Sequence, residues 1–158
     1  MLSSKLDTIE FRLLVTGGRD FTDRDAIEHA LLDIEVRPDV VIHGASAGTD
    51  RIAGEVAEAH DLAVWEFPAQ WRRFGKSAGM RRNYQMLVEG RPTHVLAFPG
   101  DRGTENMIMQ ASKAGIPVRR VDAGGRDITG GYPGLGYDAS LSPNPVDIGE
   151  LNRRTTSH

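Results

Sequence analysis

Three glycine-rich turns, each set between a short apolar strand pattern and a helical pattern, constrain this chain most. They are Thr16-Gly17-Gly18-Arg19-Asp20, His43-Gly44-Ala45-Ser46-Ala47-Gly48-Thr49-Asp50 and Pro99-Gly100-Asp101-Arg102-Gly103-Thr104-Glu105. Strands separated by helical crossovers specify a parallel sheet with right-handed connections. In such a sheet all strand-to-helix turns lie along one edge, where ligands bind. Three glycine turns there make one composite pocket, with backbone N–H groups and helix N-termini available to an anion. The pattern points to a nucleotide or another phosphorylated small molecule.

The hydrophobic periodicity supports this order along the chain. Strands are expected at Phe11 to Val15, Val40 to Ile42, Leu62 to Phe67, Thr93 to Phe98 and Ile116 to Val121. Between them, Ile27, Ala30, Leu31 and Ile34 recur at helical spacing behind a candidate N-cap, Asp23. A second helix, from about Thr49 to His60, carries Ile52, Ala53, Val56 and Ala57 on its buried face. A longer loop, Pro68 to Lys76, leads to a helix carrying Met80, Tyr84, Leu87 and Val88. The last helix holds Met107, Ile108, Ala111 and Ala114 and ends at Gly115. The apolar strands fit a sheet covered on both faces. Residues 1–121 therefore read as one nucleotide-binding domain, and 122–158 as a Gly/Pro-rich tail in which Tyr132, Leu135, Tyr137 and Leu141 are the residues able to dock.

Composition narrows the function. A length of 158 residues suits one domain with a proper core. A net charge of -3 argues against a general nucleic-acid surface. With no cysteine there is no disulfide framework, thiolate chemistry or Cys-ligated metal site. His29, His43, His60, His94 and His158 show no metal-ligand spacing, so no metal and no cofactor are expected. No apolar run reaches the roughly 18 residues of a membrane span, and the first ten residues lack an apolar signal core. A cytoplasmic location is the expectation.

Within the turns, Gly44 lets the backbone approach a ligand, Ala45, Ser46 and Ala47 keep the loop open, and Gly48 completes it. Asp50 either complements the helix dipole or contacts a ribose hydroxyl. His43 reads as a satisfied histidine at a strand end rather than a catalytic base. Thr104 is expected to cap its helix, to bind a phosphate oxygen, or both. Glu105, in the first helical turn, needs only the dipole to explain it. Arg81 and Arg82 fall in the early turns of their helix, where cations oppose the macrodipole. With Trp71, Arg72, Arg73, Phe74 and Lys76 just ahead of them, these cations form either a solvated basic loop or a group facing an anionic ligand, and Arg82 is expected in the pocket. Gly75-Lys76-Ser77 mimics the end of a P-loop, but Gln70 stands where its first glycine belongs, and no Gly-x-Gly-x-x-Gly follows the first strand.

From Phe11 to Val121 the chain resembles the YspA-type branch of the SLOG superfamily, related to the lysine-decarboxylase-like LOG enzymes and to the DNA-processing protein DprA. The residues carrying the resemblance are Gly17-Gly18-Arg19-Asp20-Phe21, His43-Gly44-Ala45 with Gly48 and Asp50, Arg82-Asn83 with Met86, and Pro99-Gly100 with Gly103-Thr104. It implies a Rossmann-like three-layer α/β sandwich, with a mainly parallel sheet of about five or more strands, and a pocket for nucleotides or nucleotide-derived signals. It also implies a homodimer or higher homo-oligomer. LOG enzymes cleave the N-glycosidic bond of cytokinin ribotides. They have a similar Pro-Gly-Gly-x-Gly-Thr-x-x-Glu loop and an Arg-Lys-x-x-Met helix segment, in which Arg82 takes the place of the catalytic arginine. Here Asp101 replaces the second loop glycine, Asn106 takes the first acidic position and Met107 the second, while Glu105 lies one residue early.

These departures favour a binding module that senses or sequesters a nucleotide. In it Gly44, Gly48, Gly100, Gly103 and Thr104 hold phosphate or ribose, with Gly17, Gly18, Ala45, Ser46 and Pro99 shaping the turns, and Arg19 and Arg82 supplying positive charge. The alternative is a hydrolase acting on a nucleoside 5′-monophosphate-like substrate. It needs a carboxylate near the anomeric carbon, and Asp20, Asp50, Asp101 and Glu105 are the candidates beside Arg82.

Overall fold

A computed structural model describes residues 10–34 and 36–129. Over them, β1 (Arg12–Thr16), β2 (Val40–His43), β3 (Ala63–Glu66), β4 (His94–Ala97) and β5 (Val118–Arg120) form one sheet in the order β3-β2-β1-β4-β5. Every neighbouring pair is parallel. The helices are α1 (Arg24–Leu32), α2 (Thr49–Ala59), the short α3 (Trp71–Phe74), α4 (Ala78–Gln85) and α5 (Arg102–Lys113). This is the expected Rossmann-like α/β architecture.

Because side chains alternate across a strand, each central strand feeds two cores. Leu13, Val15, Val41 and Leu96 pack with Ile27 and Leu31 of α1 and with Ala53 and Val56 of α2. Leu14, Ile42 and Val95 pack on the other face with Met86, Met107 and Ala111. Full burial of each large aliphatic side chain contributes about 1.5–3 kcal/mol, so the two layers hold the sheet between them. Asp23 caps α1, its carboxylate accepting from Ala26 N at 3.0 Å. Gly115, at φ 78°, follows the end of α5.

Helices therefore change faces between β1 and β4. The crossovers from β1 and β2 run on one side, and those through α4 and α5 on the other. A crevice opens at the carboxyl end of such a switch point.

Three details differ from the sequence reading. The expected loop 68–76 is partly helical, containing α3 and a 3-10 turn, Gly75–Ser77. Four residues are too few to display a period. In α4, Ala78 and Asn83 are buried, whereas Met80, Tyr84 and the following Val88 are exposed. Finally, the sheet is covered on both faces except at its β3 edge, where Ala63, Trp65 and Glu66 are exposed.

After β5 the chain turns back. Val121 bridges Asp127 in antiparallel fashion, and Ile128 N donates to Arg120 O at 2.9 Å. Arg119, almost fully buried, donates from Nε to Asp127 Oδ2 at 3.0 Å. Tyr132, Leu135, Tyr137 and Leu141 lie outside the described residues. No helix among the described residues is long and apolar enough to cross a membrane.

Candidate functional site

All three glycine turns sit at the carboxyl edge of the sheet, and Gly18 joins them. Its N–H donates to Pro99 O at 2.8 Å, closing the floor of the β1–β4 crevice. Its carbonyl accepts from Thr49 N at 3.2 Å and from Thr49 Oγ1 at 2.9 Å. Thr49 is completely buried, so the second turn is anchored to the first. Arg19 and Asp20 stand on the exposed lip of the first turn.

The second turn is built around Asp50. This carboxylate is buried, and its Oδ2 accepts from Gly44 N and Ser46 N, each at 3.2 Å. Two of the amides expected to face an anion are thus held by the chain's own carboxylate. Burial pushes the Asp50 carboxyl up to about 6, against the opposing pull of the Ser46 and Gly44 hydrogen bonds and the Arg82 charge. Ala45 adopts φ 60°, uncommon for a residue with a side chain, and its N–H donates to His43 Nδ1 at 3.0 Å. That bond assigns the His43 proton to Nε2. His43 Nε2 lies 3.8 Å from Glu66 Oε2 and has no hydrogen-bond partner among the described residues. Burial lowers the His43 pKa, outweighing the opposing pull of Glu66 and Glu58. His43 is therefore satisfied at one nitrogen only.

The third turn divides its roles differently from the expectation. Asp101, rather than Thr104, caps α5, accepting from Gly103 N at 3.2 Å. Thr104 is buried, and its Oγ1 has no hydrogen-bond partner among the described residues. The hydroxyl lies so close to Gly100 that a Cβ there would collide with it. Glu105 points away and pairs with Arg120 at 2.8 Å on the surface.

Arg82 links the second and third turns. Its guanidinium donates to Gly44 O, and it packs over Gly44 where any side chain would strike it. Nε donates to Asn83 Oδ1 at 2.9 Å. Asn83 in turn donates from Nδ2 to Gly103 O at 3.2 Å and to Asn106 Oδ1 at 3.0 Å. Asn106 Oδ1 also accepts from Gln110 Nε2 at 2.7 Å. Burial lowers the Arg82 pKa while the Asp50 carboxylate opposes the shift.

The structure thus gathers Gly17, Gly18, Gly44, Ala45, Ser46, Gly48, Asp50, Arg82, Pro99, Gly100, Gly103 and Thr104 on one rim. It places Asp20, Asp101 and Glu105 on the exposed periphery. The network adds Asn83 and Asn106. Their signal in the sequence is the Arg82-Asn83 pair and the asparagine two residues after Thr104, but neither announces a hydrogen bond across two helices.

Residues 11–74 match the YAcAr family, described as YspA, cpYpsA-related SLOG. The Gene 61 protein of Mycobacterium phage D29 is 38% identical over 117 residues, covering 68% of this chain and 93% of that protein. The chain belongs to this SLOG family. The matched segment contains the first two glycine turns and Asp50 of the SLOG rim.

Solved structures similar to this SLOG chain include a UDP-N-acetylglucosamine 2-epimerase, 18% identical with a TM-score of 0.45. A second is the UDP-GlcNAc 2-epimerase from Neisseria meningitidis bound to UDP-GlcNAc, 20% identical with a TM-score of 0.43. Each covers 92% of this chain, which spans only 40% and 38% of their lengths. Glycinamide ribonucleotide transformylase 1 from Geobacillus kaustophilus is 16% identical with a TM-score of 0.44, covering 92% of this chain and 69% of its own.

Proposed function

We propose that the protein binds a nucleotide or nucleotide-derived small molecule at the carboxyl edge of the sheet, as a sensor or sequestering module. The observation that carries this reading is the β1–β4 crevice itself. Its floor is closed by the Gly18–Pro99 hydrogen bond, and α5 begins beside it with the buried Thr104 hydroxyl, which has no partner among the described residues. A switch point with a helix N-terminus at its mouth favours a phosphate group. The Gly44 and Ser46 amides are held by Asp50 and the Gly103 amide by Asp101, so the phosphate belongs near Gly100 and the Thr104 hydroxyl. Arg82, fixed between Gly44 and Asn83, supplies a preorganised positive charge. Arg19 supplies an exposed one at the lip.

Native mass spectrometry with nucleoside monophosphates, NAD and ADP-ribose tests this reading. A stable adduct without release of free base is expected, with occupancy reduced in Arg82→Ala. Absence of any adduct overturns the reading, and unchanged occupancy in the variant removes Arg82 from the site.

One observation favours the hydrolase alternative. Asp50 is the candidate carboxylate that is buried beside Arg82, and a group near 6 suits general acid–base work near neutral pH. Under that reading, turnover yields free base and Asp50→Asn abolishes it.

A further inference from the structure

Arg82 faces two ways. Besides reaching Gly44, it lines an open cleft of about 500 Å³ between α3, the 3-10 turn and α4. None of the glycine-turn residues lines this cleft, and Arg82 is the residue it shares with the rim. Its volume falls within the range of small-molecule sites.

The walls of the cleft combine flat apolar groups with cations. Phe74, Met80 and Tyr84 line it, and the last two are 54% and 63% exposed. The Arg81 guanidinium stacks on the Phe74 ring, 4.4 Å from its centroid, and is fixed by Nε donating to Ser77 Oγ at 3.0 Å. Gln70 and Gln85 place amides on the same walls, each offering donors and an acceptor.

The charge of this region opposes that of the whole chain. From Phe67 to Val88 the sequence contains Arg72, Arg73, Lys76, Arg81 and Arg82 and no Asp or Glu, in a protein of net charge -3. Among the described residues, none of these five comes within 4 Å of a carboxylate. A merely solvated helical surface interleaves both signs, as i,i+4 pairing favours. Here Asp50 acts on Arg82 alone, the other four cations have no carboxylate within 4 Å among the described residues, and they surround aromatic surface. Cations with exposed rings form a stacking platform for planar groups attached to an anion.

We propose that this cleft seats the nucleobase of the ligand, stacked against Tyr84 and the Phe74–Arg81 pair, with Arg82 at the junction to the phosphate. The proposal rests on the nucleotide reading and extends it. The base supplies a large share of the affinity, and the ligand lies across α4 rather than wholly within the glycine turns.

Calorimetric titration with AMP, UMP, ADP-ribose and ribose 5-phosphate tests the proposal on wild type, Tyr84→Ala and Arg81→Gln. Both substitutions fall at exposed positions, so folding is retained. Wild type is expected to bind the nucleotides at least about tenfold more tightly than ribose 5-phosphate. Either substitution is expected to bring AMP down towards ribose 5-phosphate while leaving the latter unchanged. Equal wild-type affinity for AMP and ribose 5-phosphate, or unaltered AMP affinity in Tyr84→Ala, overturns the base placement and leaves the nucleotide reading standing. Parallel loss of ribose 5-phosphate affinity also overturns it. If no nucleotide binds the wild type, both readings fall together.

Discussion

Asp50 is the residue at which local chemistry and stability meet. Its carboxyl titrates near 6 in the native state against an ordinary value of 3.8, because burial outweighs the hydrogen bonds and the charge that favour ionisation. Between those two values the native chain retains a proton that the unfolded chain has released. Stability contributed by the protonated group is thus complete below about 4 and lost as pH rises through about 6, with an amplitude of about 3 kcal/mol. Asp50→Asn is expected to flatten the pH profile of the urea midpoint across this window while still accepting from Gly44 and Ser46. An unchanged slope means that the Asp50 carboxyl titrates at its ordinary value in the fold. Asp50 was legible as an acid at a helix start. That it would turn inwards and occupy the amides of its own loop was not, because the turn depends on Ala45 taking φ 60°.

At the scale of elements, α4 and α5 are joined at their polar faces rather than by apolar packing alone. Asn83 is buried and spends both ends of its amide on Arg82, Gly103 and Asn106. Asn83→Ala leaves the Arg82 Nε–H short of a partner and removes the side-chain bond to the Gly103 carbonyl, and is expected to cost about 2 kcal/mol in urea unfolding. It should also weaken nucleotide binding, since Arg82 loses its second anchor. Asn83→Asp, which keeps the acceptor for Arg82, should restore part of the binding but none of the bond to Gly103 O. The strands and the α1, α2 and α5 helices were readable from periodicity, and Asp23 and Gly115 from capping chemistry. In α4 the periodic apolar residues Met80 and Tyr84 face outwards while Asn83 faces in. Periodicity locates a stripe, but only the tertiary arrangement decides whether that stripe meets a core or a solvent-filled cleft.

For the molecule as a whole, the site's position was more legible than its wiring. Turn order and strand count placed the glycine residues on one edge, whereas the bond between Gly18 and Pro99 required the strand order that brings β1 beside β4. The role of Arg119 was hidden because its partner Asp127 lies beyond the last strand, where the chain turns back. The segregation of charge was legible in the sequence, where Arg72, Arg73 and Lys76 stand just ahead of Arg81 and Arg82 in a chain of negative net charge. The nucleotide affinity of the basic face is expected to fall as salt is raised, by similar amounts for AMP and ADP-ribose, which each carry about two negative charges near neutral pH. A flat salt response would exclude these cations from the ligand's surroundings.

The central place of β1 has a consequence for how the chain is made. The hydrogen bond from Arg12 N to Thr93 Oγ1 spans 81 residues. At ~5–20 residues per second, a ribosome needs about 4–16 s to deliver that partner after β1 has emerged. Throughout that interval one side of β1 is an open apolar edge, a template for pairing with a neighbouring nascent chain. The β1–β2–β3 half of the sheet therefore waits for its keystone. A fragment ending at Pro92 should remain unfolded by circular dichroism and collect in the insoluble fraction, whereas one ending at Thr129 should fold.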